Sequence, residues 1–283
     1  MGDDDLPAPF AVADAASLRG QTLTQAGTAA RLGGALLAAA GGAAGLTAGR
    51  FDLVGVVAAI GFAVALGGEL LLLVRHPERD WYHGRAVAES LRTLGWKYAV
   101  GGAPFDAEPP GELLDARVGA AIGAGRGELA VPFTAPAATT AMEAIRALPF
   151  AERRERYARD RIGVQLGWYT SKAAANRRGA RWWRVGLIGG EAVALGLVLL
   201  LPSHWAGVLA VAVVAAASWA GVKRYEELAA AYTVTAAELG LVAETVRGAT
   251  EAGWARVVSD AEQAISREHT LWLAARADPG KAR

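Results

Sequence analysis

Two carboxylates stand where carboxylates are rarely tolerated. Glu191 and Glu69 sit inside runs that are otherwise apolar, and an ionisable group in such a run is costly unless it faces water, a partner or a bundle interior. Glu191 is a candidate pore or gating residue. Glu69 has the same candidacy, or else pairs with a basic flank. Other chemistry-bearing residues are sparse. His76, Asp80 and His83 lie close together, but a third ligand with metal-site geometry is missing, so no metal is expected. The glycine-rich stretch 119–128 has neither the GxGxxG spacing nor the GK pair with Ser or Thr that cradles phosphates. No nucleophile elbow or HExxH occurs. The absence of cysteine removes thiolate sites, disulfides and thiol catalysis together. The chain therefore reads as a non-enzyme without cofactors.

The elements that would position Glu69 and Glu191 are apolar runs in two pairs: 32–49 with 53–74, and 185–201 with 205–222. A hydrocarbon core of about 30 Å needs roughly 20 apolar residues of helix, about 17 at the short end, so all four runs are long enough to span. Each pair is joined by three residues, Arg50, Phe51 and Asp52 in one and Pro202, Ser203 and His204 in the other, which makes antiparallel hairpins. Trp182, Trp183, Trp205 and Trp219 fall at run ends, where indole prefers the membrane interface. Gly41, Gly45 and Gly49 recur every four residues in the first run, as do Gly186 and Gly190 in the third. Such faces let helix backbones approach closely in lipid, within a hairpin or between subunits. The run 32–49 is rich enough in Ala and Gly to need protein neighbours, which favours an assembly.

Lys and Arg flank the runs on one side only: Arg19, Arg31, Arg75, Arg79 and Arg85 around the first pair, and Arg177, Arg178, Arg181, Arg184, Lys223 and Arg224 around the second. The tips hold only Arg50. The positive-inside rule then puts both termini and the central segment in the cytoplasm. The acidic start MGDDDLPAPF lacks the features of a secretory signal. These features predict a multi-pass protein of a bacterial inner membrane. A net charge of +1, from 29 basic and 28 acidic residues, supplies no field for nucleic acid.

The fold expected is all-α: two transmembrane hairpins with four spans, extended by long cytosolic helices, in a pseudo-repeat of two halves, 11–102 and 142–276. The Pro-, Gly- and Ala-rich stretch 103–141 reads as a linker with at most a short helix near 112–122. Tyr225, Leu228, Tyr232, Thr235, Leu239, Val242 and Val246 alternate three- and four-residue steps, a coiled-coil-like seam. It would pack on the helix 151–181 or on a neighbouring subunit. A final helix near 257–275 puts Ala261, Ile265, Glu268 and Trp272 on one stripe.

The segment from Met142 to Trp183 carries Tyr157, Arg161, Gln165, Trp168, Tyr169, Lys172, Ala173 and Asn176, and the chain later supplies Ile265, Glu268 and Trp272. In these residues it resembles the DUF4231 group of the SLATT superfamily, two-transmembrane effector domains associated with nucleotide-signalling defence systems. The first half, through Trp81, Arg85, Ala88, Glu89, Ser90, Leu94, Trp96, Tyr98, Gly102 and Phe105, resembles a companion SLATT subtype. The resemblance implies a membrane effector of an antiphage or conflict system that assembles as a homo-oligomer and disrupts the bilayer. Its signal would come from a nucleotide-signalling or sensor protein in trans. The alternative is a non-catalytic membrane scaffold that recruits a cytosolic partner through its coiled-coil-like helices. Gln165, Trp168, Tyr169, Lys172 and Asn176 share roughly one helical face, a packing seam where a gating signal would also be felt.

Overall fold

Long runs of Ala, Leu and Val with few breakers favour helices, and every regular element is helical among the residues described by the computed structural model: 1–43, 53–107, 109–124, 133–200 and 205–277. The helices are α1 (Ala8–Ala43), α2 (Leu53–Arg75), α3 (Pro77–Val100), α4 (Pro110–Gly123), α5 (Thr140–Arg146), α6 (Phe150–Tyr157), α7 (Val164–Leu200), α8 (Trp205–Lys223), α9 (Tyr225–Arg247) and α10 (Trp254–Ala277). Among the described residues, three helical segments are long and apolar enough to cross a membrane: Gly55–Arg75, Phe150–Leu200 and Trp205–Arg247. The fourth expected span, 32–49, runs past Ala43 and lies partly outside the described residues.

The chain forms two compact units. One is assembled from Met1–Gly20, Arg79–Ala173 and Ala230–Arg283, the other from Gln21–Glu78 and Ala174–Ala229. Each draws on both halves of the sequence.

The first unit is the more polar and has a closed core that includes Phe10, Leu91, Trp96, Tyr157, Leu239 and Val258. Residues 103–107 and 109–124 are part of it rather than a tether. Phe105, Leu114 and Val118 are fully buried, the last two being an i, i+4 pair on one face of α4. Pro110 opens α4 at a position where its missing N–H is no loss. Thr139 caps α5 by accepting from the Met142 N–H at 3.3 Å, and Asp115 Oδ1 accepts from the Ala137 N–H at 2.7 Å. On α9 the expected seam is filled by the chain itself: Thr235, Leu239 and Val246 are buried, and the Tyr232 ring meets Trp168 at 5.5 Å and Tyr169 at 5.6 Å.

In the second unit α1 and α2 pack backbone to backbone through glycines seven apart, a spacing that returns to nearly the same face after two turns. These are Gly27, Gly34 and Gly41 on α1 and Gly61 and Gly68 on α2. A Cβ added at Gly34 would stand 2.5 Å from the Ala65 nitrogen, at Gly41 2.6 Å from that of Ala58, and at Gly68 2.7 Å from the Gly27 carbonyl oxygen. Only backbones without side chains approach this closely. Lys223 Nζ donates to Gln25 Oε1 at 3.0 Å. Two non-glycine residues adopt positive φ, His76 (43°) after α2 and Arg224 (49°) after α8. Each breaks the helix while its N–H still donates to the carbonyl four residues back, Leu72 at 3.1 Å and Ala220 at 3.0 Å.

Candidate functional site

At Tyr157 α6 gives way to a π turn, Ala158–Gly163. A π turn takes one more residue per hydrogen-bonded turn than an α-helix, which rotates the helix beyond it and leaves Tyr157, Ala158, Arg161 and Ile162 all buried. Arg161 so placed meets Glu262 of α10. Arg161 Nε donates to Oε1 at 2.9 Å and Nη2 to Oε2 at 2.7 Å, a two-pronged pairing in which both side chains are almost wholly buried, at 3% and 0% exposure. Tyr157 Oη donates to Oε1 at 3.0 Å and Thr93 Oγ1 of α3 to Oε2 at 3.0 Å. The carboxylate is thereby bonded on both oxygens, the condition under which a buried charge is tolerated.

The electrostatics follow from this geometry. Burial alone would lower the pKa of Arg161, but the charge and hydrogen bonds of Glu262 outweigh it and hold the guanidinium above its ordinary range. Burial, then the Glu262 charge, push the Tyr157 phenol well up. Beside them Lys97 Nζ donates to Ser259 Oγ at 3.0 Å, and desolvation lowers its pKa against the pull of Glu262.

A cleft of about 530 Å³ in the same unit is lined by Arg85, Arg92, Trp96, Arg161, Gln165 and Trp168, among others. Its cations are already paired: Arg85 with Glu89 at 3.0 Å, Arg92 with Glu89 at 2.6 Å and with Asp3 at 3.1 Å. The motif residues of the first half mostly serve this core. Trp96 packs edge-on against Tyr157 at 5.9 Å, and Trp81 stacks on Tyr82 at 5.3 Å while its carbonyl accepts from Ser17. The Tyr98 hydroxyl donates to Glu143, and burial together with that carboxylate pushes its pKa up to about 12. Lys172 lies over the Trp168 ring at 5.7 Å. Asn176 belongs to the other unit.

Not every expected site residue is brought to this network. Glu268 and Trp272 lie on α10 but outside the described side chains, and Gly45, Gly49 and the end of the 119–128 stretch lie outside the described residues. Glu69 pairs with Arg31 at 3.2 Å, both exposed. Glu191 is exposed, without a partner among the described residues, and added Cβ atoms at Gly186 and Gly190 would meet nothing within 4 Å. Glu262 was missed by the sequence reading. Its signal was its position: Val258, Ala261, Glu262 and Ile265 share the inward stripe of α10, so a charge there had to be paired.

An all-α chain with long, apolar and largely unburied helices defines a membrane-protein class. Residues 7–154 match the family described as SMODS and SLOG-associating 2TM effector domain 3, and residues 157–272 match domain 1 of the same series. The chain belongs to the SLATT family, with two of its domains in tandem. No curated protein and no solved structure gives a significant match.

Proposed function

We propose that this protein is an effector of a bacterial defence system that sits in the inner membrane with its termini in the cytoplasm. On receiving a signal it oligomerises and disrupts the bilayer. The observation that carries the reading is the second hairpin. Along α7 Val185, Ile188, Val193, Leu195, Leu199 and Leu200 are all more than half exposed, and Glu191 stands among them without a partner among the described residues. Lipid satisfies the aliphatic side chains but not the carboxylate, which calls for a second copy or a water path. The tandem match to effector domains supports the same reading. The scaffold alternative has less to work with, because the α9 seam it would use is occupied by the chain's own helices.

The test is expression in bacteria with a membrane-potential dye, alongside liposome leakage by the purified chain. Depolarisation and leakage that fall on Glu191→Leu but persist in Glu191→Asp are the expected outcome. A chain that inserts yet neither depolarises nor leaks at high expression overturns the proposal.

A further inference from the structure

The second unit holds a cleft of about 320 Å³ lined by Trp183, Arg184 and Leu187 of α7, Ala220 and Gly221 of α8, and Arg224, Tyr225, Glu226 and Glu227 at the α8–α9 break. Its floor is apolar and its rim carries two guanidinium groups. Tyr225, which lines it, packs its ring closely on Gly179, where an added Cβ would stand 2.9 Å from that ring. The cleft lies where α7 and α8 pass from apolar to charged sequence. Trp182, next to Trp183 in the chain and 74% exposed, is the residue type that seeks the headgroup layer.

We propose that this cleft seats the phosphodiester headgroup of an anionic phospholipid, with Arg184 and Arg224 taking the phosphate oxygens. Three features argue for it. Among the described residues the arginines are held by exposed carboxylates alone, Arg184 by Glu226 and Arg224 by Glu227 at 2.6 Å from Nε. Such pairs are weak in water, and a guanidinium carries five donors, so a phosphate oxygen can share or replace the carboxylate. The indole N–H of Trp183, which lines the cleft, is buried without an acceptor among the described residues, a state that buried donors rarely keep. Earlier on α7 Arg178 and Arg181 have no partner among the described residues, and Lys223 precedes Arg224, so the charge along this stretch favours an anion despite Glu226 and Glu227. The proposal rests on membrane placement but not on pore formation, so failure of either can be told from failure of the other.

The experiment is delipidation of the full chain in detergent, followed by native mass spectrometry after exposure to phosphatidylglycerol or phosphatidylcholine. Wild type is expected to retain phosphatidylglycerol selectively, and Arg184→Gln with Arg224→Gln to lower its retention on the order of tenfold, while Arg178→Gln with Arg181→Gln lowers it far less. Equal losses in the two double variants would reduce the site to general attraction by this basic stretch and overturn the proposal. Protection against heat by inorganic phosphate equal to that by the lipid, and equally dependent on Arg184 and Arg224, would overturn it in favour of a free anion. Should the arginine variant fail to fold by circular dichroism, Trp183→Phe decides. Weakened retention supports the site, and unchanged retention overturns it.

Discussion

Glu262 is the residue on which the polar unit turns. Its charge is buried and bonded to Arg161, Tyr157 and Thr93, and removing one partner of a buried pair typically costs about 3–5 kcal/mol because the other charge is stranded. Glu262→Gln is therefore expected to lower the melting temperature of the detergent-solubilised chain sharply. Glu262→Leu with Arg161→Met should lose less than the sum of the single losses, which a double-mutant cycle measures. The tyrosines set an alkaline limit. Tyr98 is raised from 10.0 to about 12 and burial beside Glu262 pushes Tyr157 well up too, so each favours folding through its neutral form. For Tyr98 that contribution is whole below pH 10 and is lost as pH rises through about 12. A tyrosinate absorbance titration should show these two ionising late and together with loss of near-ultraviolet circular dichroism. Separate, early ionisation with the fold intact would contradict the assignment.

At the scale of elements, the α1–α2 hairpin depends on absent side chains. Gly34→Leu or Gly41→Leu must separate two backbones, and overpacking of this kind costs about 1–3 kcal/mol or more, whereas Gly186→Leu meets open space within this chain. Thermal melts in detergent should rank the three variants in that order, and equal losses would rule out the glycine seam as what holds the hairpin. The π turn makes a second prediction. Deleting exposed Arg159 would restore α-helical register and rotate Tyr157 away from Trp96 and Glu262, so the variant should lose near-ultraviolet signal while keeping its helix content. Much of this level was legible in sequence, because period and apolarity are local: the helices and the α9 seam could be read, whereas Tyr157 and Arg161 were marked only by the family resemblance. The glycine seam was not legible. A search at four-residue spacing finds Gly41 with Gly45 and Gly49, while the partner pattern of Gly27, Gly34 and Gly41 steps by seven and matters only against Gly61 and Gly68, far along the chain. Phe105, Leu114 and Val118 were hidden for another reason, since surrounding Pro, Gly and Ala signal a linker whether or not a core receives it.

For the whole molecule, the compact units and the matched domains divide the chain differently. The matches run end to end, 7–154 and 157–272, while the polar unit is stitched from both. Lys97 of the first match bonds Ser259 of the second, Thr93 bonds Glu262, and the Val100 carbonyl accepts from the Trp254 indole at 2.6 Å. Either match expressed alone should therefore be insoluble or rapidly proteolysed, and the two co-expressed as separate chains should purify together; a stable, protease-resistant first half on its own would refute this. The consequence reaches past folding to inheritance. A recombination that swapped in a first half without a hydroxyl at the place of Thr93 would leave Glu262 one donor short, and Trp254 would face another residue in place of Val100. Such a hybrid is expected to be lost on stability alone, whatever its second half does.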